Sequence, residues 1–311
     1  MKERTIFTMK APYREDYEIK GYSFGKGDPA ACILGPVRGN EIQQLYICSQ
    51  LVKALRELEK NNCISSNKEI LVIPGANYYS MNVGKRFWPF DNMDINRKFP
   101  GNDYGETTRR IAYGLMERIK DYSYGIQFSS FYMSGDFVPH IRMMETGYQN
   151  TSLANLFGLP YVLVRKPMPI DTKTINYNWQ DEMTAAFSVY TNKTSVIDEK
   201  SAKQAVAAVL RFLTRMGTIK YESHSGFISH IILEEDLSNV TCETGGIFKG
   251  LVKPGEEVHY NQPMAEIIDP YVGEVKNVIR AGTEGIVFFA HTDPLIGEGD
   301  IAYQLIHRLH E

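Results

Sequence analysis

Residues 30–59 read AACILGPVRGNEIQQLYICSQLVKALRELE, and this stretch decides the fold class. The apolar run 30–34 predicts a buried strand that stops at Gly35. From 41 to 59, Ile42, Leu45, Cys48, Leu51, Val52, Leu55 and Leu58 recur at spacings of three and four, so one helical face is apolar. A buried strand that passes through a short glycine turn into a long amphipathic helix is the unit of an α/β layer architecture with parallel strands.

The pattern continues outward. Residues 70–73 (ILVI) predict the next strand, stopped by Pro74-Gly75. Residues 107–119 predict a helix with Ile111, Leu115 and Ile119 in register. Further strands are expected at 124–128, 161–165 and 186–190. A helix at 199–215, with Ala202, Ala205, Val206, Val209, Leu210 and Leu213 inward, ends at Gly217. Between the second strand and second helix lies an irregular stretch, 77–103, of a length usually reserved for function. Its Tyr78, Tyr79, Phe87, Trp88 and Phe90 are suited either to walling a pocket or to packing that orders the loop.

After Ile219 the texture changes to short β-rich runs punctuated by Gly and Pro. Two domains are therefore expected, an α/β unit over 1–220 and an all-β unit over 221–311. The second carries a weak repeat. Gly246-Ile247-Phe248, a glycine turn at Gly255, and Pro263-Met264-Ala265 are echoed by Gly285-Ile286-Val287, a turn at Gly297, and Asp300-Ile301-Ala302. The arrangement resembles the barrel-sandwich fold of biotinyl and lipoyl carriers. No lysine stands at the tip where a carrier is modified, so a swinging arm is not expected.

Composition narrows the function classes. With 34 Lys and Arg against 37 Asp and Glu in 311 residues, and no long single-sign run, the chain lacks the concentrated basic face that nucleic acid requires. No window approaches a membrane-spanning apolar stretch and the N-terminus carries no signal h-region, so no membrane partner and a cytoplasmic location are expected. Cys32, Cys48, Cys63 and Cys242 have no CxxC spacing and read as reduced thiols, most of them in the core.

Gly35-Pro36-Val37-Arg38-Gly39-Asn40-Glu41 is similar to the GxHGxE motif of zinc carboxypeptidases and of the succinylglutamate desuccinylase/aspartoacylase family. Asp94-Ile95-Asn96-Arg97-Lys98-Phe99-Pro100-Gly101 resembles that family's DxNRxFPG segment. Ile126-Gln127-Phe128-Ser129-Ser130 falls where its IDLHS strand end belongs. The resemblance covers most of the chain. It implies a carboxypeptidase-like mixed sheet flanked by helices, an appended β domain, and hydrolysis of an N-acyl amino acid or peptide-like amide.

It also implies a zinc ion held by two histidines and a carboxylate, with an open position for a water, and a glutamate base. Here Arg38 and Ser129 stand at the two histidine positions, leaving Glu41 as the only family ligand. Guanidinium has no acceptor and cannot ligate zinc. Tyr190, in Ala186-Phe187-Ser188-Val189-Tyr190, stands at the general-base position, and a tyrosine is mostly protonated at neutral pH. Glu243 is a second candidate base, although its sequence neighbours place it at the entry to the β domain. Of seven histidines, His140 alone falls near the expected cleft, either as a replacement ligand or as a polar cleft residue. The pairs His224/His230 and His307/His310 are expected in solvent.

By the same resemblance, Asn96 and Arg97 bind a substrate carboxylate and Arg86 polarises the scissile carbonyl. The alternative is a salt-bridge network that holds the loop to the core. An ion pair between Arg38 and Glu41 is expected in place of the metal. No cofactor is expected unless zinc is held by other ligands. Two functions remain open: a hydrolase scaffold that is inactive or atypical, and a non-catalytic protein that binds a small carboxylate. A homo-oligomer is compatible with either.

Overall fold

The computed structural model describes residues 1–13, 15–131 and 134–307. Ten strands precede residue 234: β1 (Lys2–Met9), β2 (Tyr17–Lys26), β3 (Asp28–Leu34), β4 (Lys68–Ile73), β5 (Tyr124–Ser129), β6 (Gly135–Phe137), β7 (His140–Met144), β8 (Tyr161–Arg165), β9 (Ala185–Tyr190) and β10 (His230–Leu233). All but β6 join one nine-stranded sheet in the order β1-β2-β4-β3-β5-β9-β7-β8-β10. The inner strands β4, β3, β5 and β9 run parallel, whereas β2 meets β4, and β7 meets β9, antiparallel. The sheet is therefore mixed, as the resemblance implies, with a second parallel group in β7, β8 and β10.

Helices α1 (Ile42–Lys60) and α6 (Glu199–Arg215) pack side by side over one face of the sheet, and α3 (Thr107–Ile119) covers the other. Shorter helices are α2 (Tyr78–Asn82), α4 (Thr151–Asn155) and α5 (Ile175–Asp181). Strands β3 and β4 end in continuous apolar runs, AACIL and ILVI, because layers cover both faces. The expected stripe of α1 holds from Cys48 onward, but its first turn buries Gln43 and Gln44 instead. Gln43 bonds Asp198 and Ser201, and Gln44 donates to the Ser129 carbonyl at 3.2 Å, so both hold the helix start against the cleft.

The remaining strands are β11 (Leu237–Thr241), β12 (Gly246–Gly250), β13 (Glu257–Val258), β14 (Pro263–Ile268), β15 (Val275–Arg280), β16 (Gly285–His291), β17 (Leu295–Ile296) and β18 (Ile301–His307). They form two sheets around a separate core that includes Val258, Met264, Ile267, Val287, Tyr303 and Leu305. The sequence repeat has a structural counterpart. β12 pairs with β14 in one sheet and β16 with β18 in the other, and the short strand of each half crosses to its counterpart, β13 to β16 and β17 to β12.

Two strands cross the division read at residues 220 and 221. β10 lies beyond it yet extends the large sheet alongside β8, and β6 lies before it yet pairs with β16. An apolar run such as 228–233 predicts a strand, and nothing in its composition says which sheet it joins. All four cysteines are free thiols; Cys32, Cys48 and Cys242 are buried and Cys63 is partly exposed.

Candidate functional site

The site forms where parallel strands end, which is where open α/β sheets place their ligands. β3 ends at Leu34, and the chain turns through Gly35 to Glu41 into α1. A Cβ on Gly39 would stand 2.2 Å from the Ser80 carbonyl carbon and 2.3 Å from the Lys85 carbonyl oxygen, so only glycine lets this turn seat against the loop that carries Arg86. That contact brings two cationic side chains to one cleft.

Arg38 is 4% exposed and Glu41 2%. The Arg38 Nη1 donates to Glu41 Oε1 at 3.2 Å, as expected. Its Nε and Nη2 also grip Asp94, at 3.0 and 2.9 Å from Oδ2. Burial alone lowers an arginine pKa, but the Glu41 and Asp94 carboxylates outweigh it and raise that of Arg38 above the ordinary value. Glu41 additionally accepts the backbone N–H groups of Val37 and Arg38 at 3.2 and 3.3 Å, and the Ser130 hydroxyl.

These contacts decide whether the residues fit a zinc ion. A carboxylate offers about four lone-pair sites, and Glu41 receives four donors. Arg38 brings a positive charge and no lone pair. Ser129, at the end of β5, offers a neutral hydroxyl. The donor set does not suit zinc, and no group of three His, Cys, Asp or Glu side chains among the described residues is placed to hold a metal.

His140 does not substitute. It is fully buried on β7, stacked on the Tyr190 ring at 4.9 Å and close to the Phe288 ring, with Nδ1 2.8 Å from the Val138 carbonyl. Burial, reinforced by the Arg142 charge, depresses its pKa to about 3. Glu243 is exposed in the β region and pairs with Asn277. His224, His230, His259 and His307 are exposed, and His310 lies outside the described residues.

Arg86, Asn96 and Arg97 line one cavity with Arg38, Ser129 and Tyr190. Asn96 accepts the Ile175 N–H, and Arg97 bonds Asp171 at 3.0 Å and the Ile170 carbonyl at 3.1 Å. Arg86 donates to the Phe131 carbonyl at 3.4 Å. Burial and the neighbouring Arg38 lower its pKa. The loop aromatics have a different task. Tyr78 and Tyr79 stack on Tyr17 of β2, Trp88 meets the Tyr17 ring edge to face, Phe90 packs on Tyr79 and Trp88, and none of the four is among the residues that line the cavity.

The far wall was not legible in the sequence. Arg142 of β7 and Arg165 of β8 complete a set of five arginines around the cavity, joined by Gln127, Ser188 and Asn176. Asp171 is the only carboxylate among the described lining residues, and Arg97, Arg165 and the Met168 N–H all bond it. His140–Met144 (HIRMM) is buried at every position, so the charge at its centre needs a reason, but that burial is a property of the fold and not of the sequence.

Tyr190 meets Arg142, whose Nη1 donates to its hydroxyl at 3.3 Å. That bond fixes the position of the Tyr190 hydroxyl against Arg142. The cleft is thus rich in donors and poor in free acceptors.

The succinylglutamate desuccinylase/aspartoacylase catalytic domain model matches residues 28–215. An N-alpha-acetyl-L-2,4-diaminobutyric acid deacetylase of Halomonas elongata is 22% identical over 89% of this chain and 81% of its own length. Among solved structures, a succinylglutamate desuccinylase from a Silicibacter species superposes with a TM-score of 0.80 at 18% identity, covering 94% of this chain and 90% of that one. The product-bound ectoine utilization protein EutE (DoeB) of Ruegeria pomeroyi follows at 0.78 and 19%, with the same coverage.

Proposed function

The chain belongs to the succinylglutamate desuccinylase/aspartoacylase family, and we propose that within it this protein binds a small carboxylate without the family's zinc-dependent hydrolysis. The observation that carries the reading is the buried Arg38, held between Glu41 and Asp94 at the position the family motif gives to a metal-ligating histidine. A guanidinium there supplies positive charge and no coordination site. Tyr190, with Arg142 donating to its hydroxyl, fits an orienting role better than that of a base.

The positions that the resemblance assigns to substrate binding support this reading. Arg86, Asn96 and Arg97 share the cavity, and guanidinium pairs carboxylates through two parallel hydrogen bonds. The name of the Halomonas relative describes that protein's substrate; for this chain it supports an amino-acid-like carboxylate as ligand. No helix among the described residues is long and apolar enough to cross a membrane. A cytoplasmic location and no nucleic-acid partner belong to the same proposal, which is compatible with a homo-oligomer.

Calorimetric titration with N-acyl amino acids and their free carboxylic acids tests it. Wild type responds, and Arg97→Ala weakens the response about tenfold or more. Equal responses from both proteins would leave Arg97 as a loop-holding residue and remove the carboxylate reading.

A further inference from the structure

Arg142 reaches the cleft without a carboxylate to hold it. Its neighbour on the far wall, Arg165, is tied to Asp171 and Glu234. Arg142 donates to the Tyr190 hydroxyl and has no ion-pair partner among the described residues. Rings fix it instead. Its guanidinium carbon lies 4.3 Å from the Tyr190 ring centroid and 4.9 Å from that of Phe131. The Phe131 carbonyl also accepts from Arg86, so the placement of Phe131 bears on two of the arginines that line the cavity.

What holds these rings lies in the C-terminal β region. Successive residues of a strand normally face opposite sides. In β16 the register against β18 slips between Val287 and Phe289, a bulge with Phe288 as the extra residue. Val287 and Ala290 therefore enter the core between the two smaller sheets. Phe288 and Phe289 both face away from it and are fully buried among Phe137, Val138, Leu163 and Ile232. Backbone pairing anchors them: Phe289 sits opposite Phe137 in the β16/β6 ladder, and the Val138 N–H donates to the Phe288 carbonyl at 3.0 Å. A Cβ on Gly135 would stand 2.0 Å from the Phe289 ring, so glycine there lets the ring seat.

Two aromatic routes run from the bulge to Arg142. Phe289 packs on Phe137 at 4.8 Å and on Phe131 at 6.2 Å between centroids, and the Phe131 ring faces the guanidinium. Phe288 lies 4.7 Å from the His140 ring, which stacks on Tyr190 at 4.9 Å. Neither Phe288 nor Phe289 is among the residues that line the cavity.

We propose that Phe289 is a positioning residue for Arg142: through Phe131 it sets the guanidinium in the cleft, so the C-terminal β region tunes anion binding without touching the ligand. The effect on affinity rests on the carboxylate reading. The placement of Arg142 does not.

The test on the full chain has one arm without ligand and one with it. In proton–nitrogen correlation spectra the Arg142 Nε–H signal, identified by its loss in Arg142→Gln, is shifted upfield by the two flanking rings. Phe289→Leu moves it back toward the ordinary arginine position. Val287→Ala, on the same strand but in the other core, leaves it in place. In calorimetry with N-acetylglycine, Phe289→Leu weakens binding about fivefold in the wild-type background and has no effect in Arg142→Gln, because a residue that acts through Arg142 has nothing left to act on. Where Arg142→Gln binds too weakly to measure, the signal decides. Thermal unfolding shows which variants fold, and Phe289→Met stands in if the leucine variant does not. A moved signal with no carboxylate heat on folded wild type removes the carboxylate reading and keeps the positioning. A signal unmoved by Phe289→Leu, a signal moved equally by Val287→Ala, or equal affinity losses in both backgrounds overturns it.

Discussion

The Arg38 guanidinium lies between two carboxylates, 3.2 Å from Glu41 Oε1 and 2.9 Å from Asp94 Oδ2, and with Glu41 it is almost wholly removed from water. Taking away one member of a buried ion network leaves the others unpaired. Arg38→Ala should therefore destabilise the protein by about 3–5 kcal/mol. Urea unfolding measures it, and a loss under about 1 kcal/mol would mean that Glu41 and Asp94 find other donors or take up protons at little cost.

Asp171 is shared by Arg97 and Arg165, at 3.0 and 3.3 Å. Asp171→Asn removes the only carboxylate among the described lining residues and frees two guanidiniums for a ligand. Carboxylate affinity should rise about tenfold at low salt and less at high salt, as screening weakens the added charge. Stability should fall. Unchanged affinity at both ionic strengths would separate Arg97 from the bound anion.

His140 gives the protein a predictable acid limb. Its pKa falls from 6.5 to about 3 on folding, owing first to burial and second to Arg142. The unfolded chain thus takes up a proton that the folded chain refuses. The contribution is present above about pH 6.5 and is lost as pH falls toward 3, by about 1.4 kcal/mol per unit through that window. His140→Phe keeps a ring against Tyr190 and Phe288 and should flatten the decline between pH 6.5 and pH 5 by about 2 kcal/mol. Parallel pH–stability curves for the two proteins would assign the acid limb to other groups.

Gly39→Ala tests the contact that joins the Arg38 turn to the Arg86 loop. A methyl group there meets Ser80 and Lys85 backbone atoms below 2.5 Å, so one segment must move. The expected cost is about 2 kcal/mol or more, together with weaker anion binding through displaced Arg86. Full affinity with lost stability would show that Arg86 is positioned independently of that turn.

Much of the architecture was legible because its elements are local. The helices Thr107–Ile119 and Glu199–Arg215 and the strand Tyr161–Arg165 fall where apolar spacing and glycine stops place them. The β1–β2 hairpin leaves little trace in the sequence, since β1 is exposed along most of its length and carries little periodic signal. The near wall of the site, Arg38, Glu41, Arg86, Asn96 and Arg97, came from motif resemblance. The far wall did not, because Arg142, Arg165 and Asn176 sit on separate elements whose convergence depends on strand order. The Asp94 partner of Arg38 was likewise hidden: 56 residues separate the two, and only the folded loop joins them.

Elemental analysis of protein purified without chelators, equilibrated with excess zinc and then desalted tests whether a buried guanidinium stands in place of the family's metal. Less than about 0.1 zinc per chain is expected, since Arg38 offers no lone pair and Glu41 has none to spare. Zinc retained at close to one per chain would contradict it and require a ligand set that displaces the Arg38–Glu41 pair.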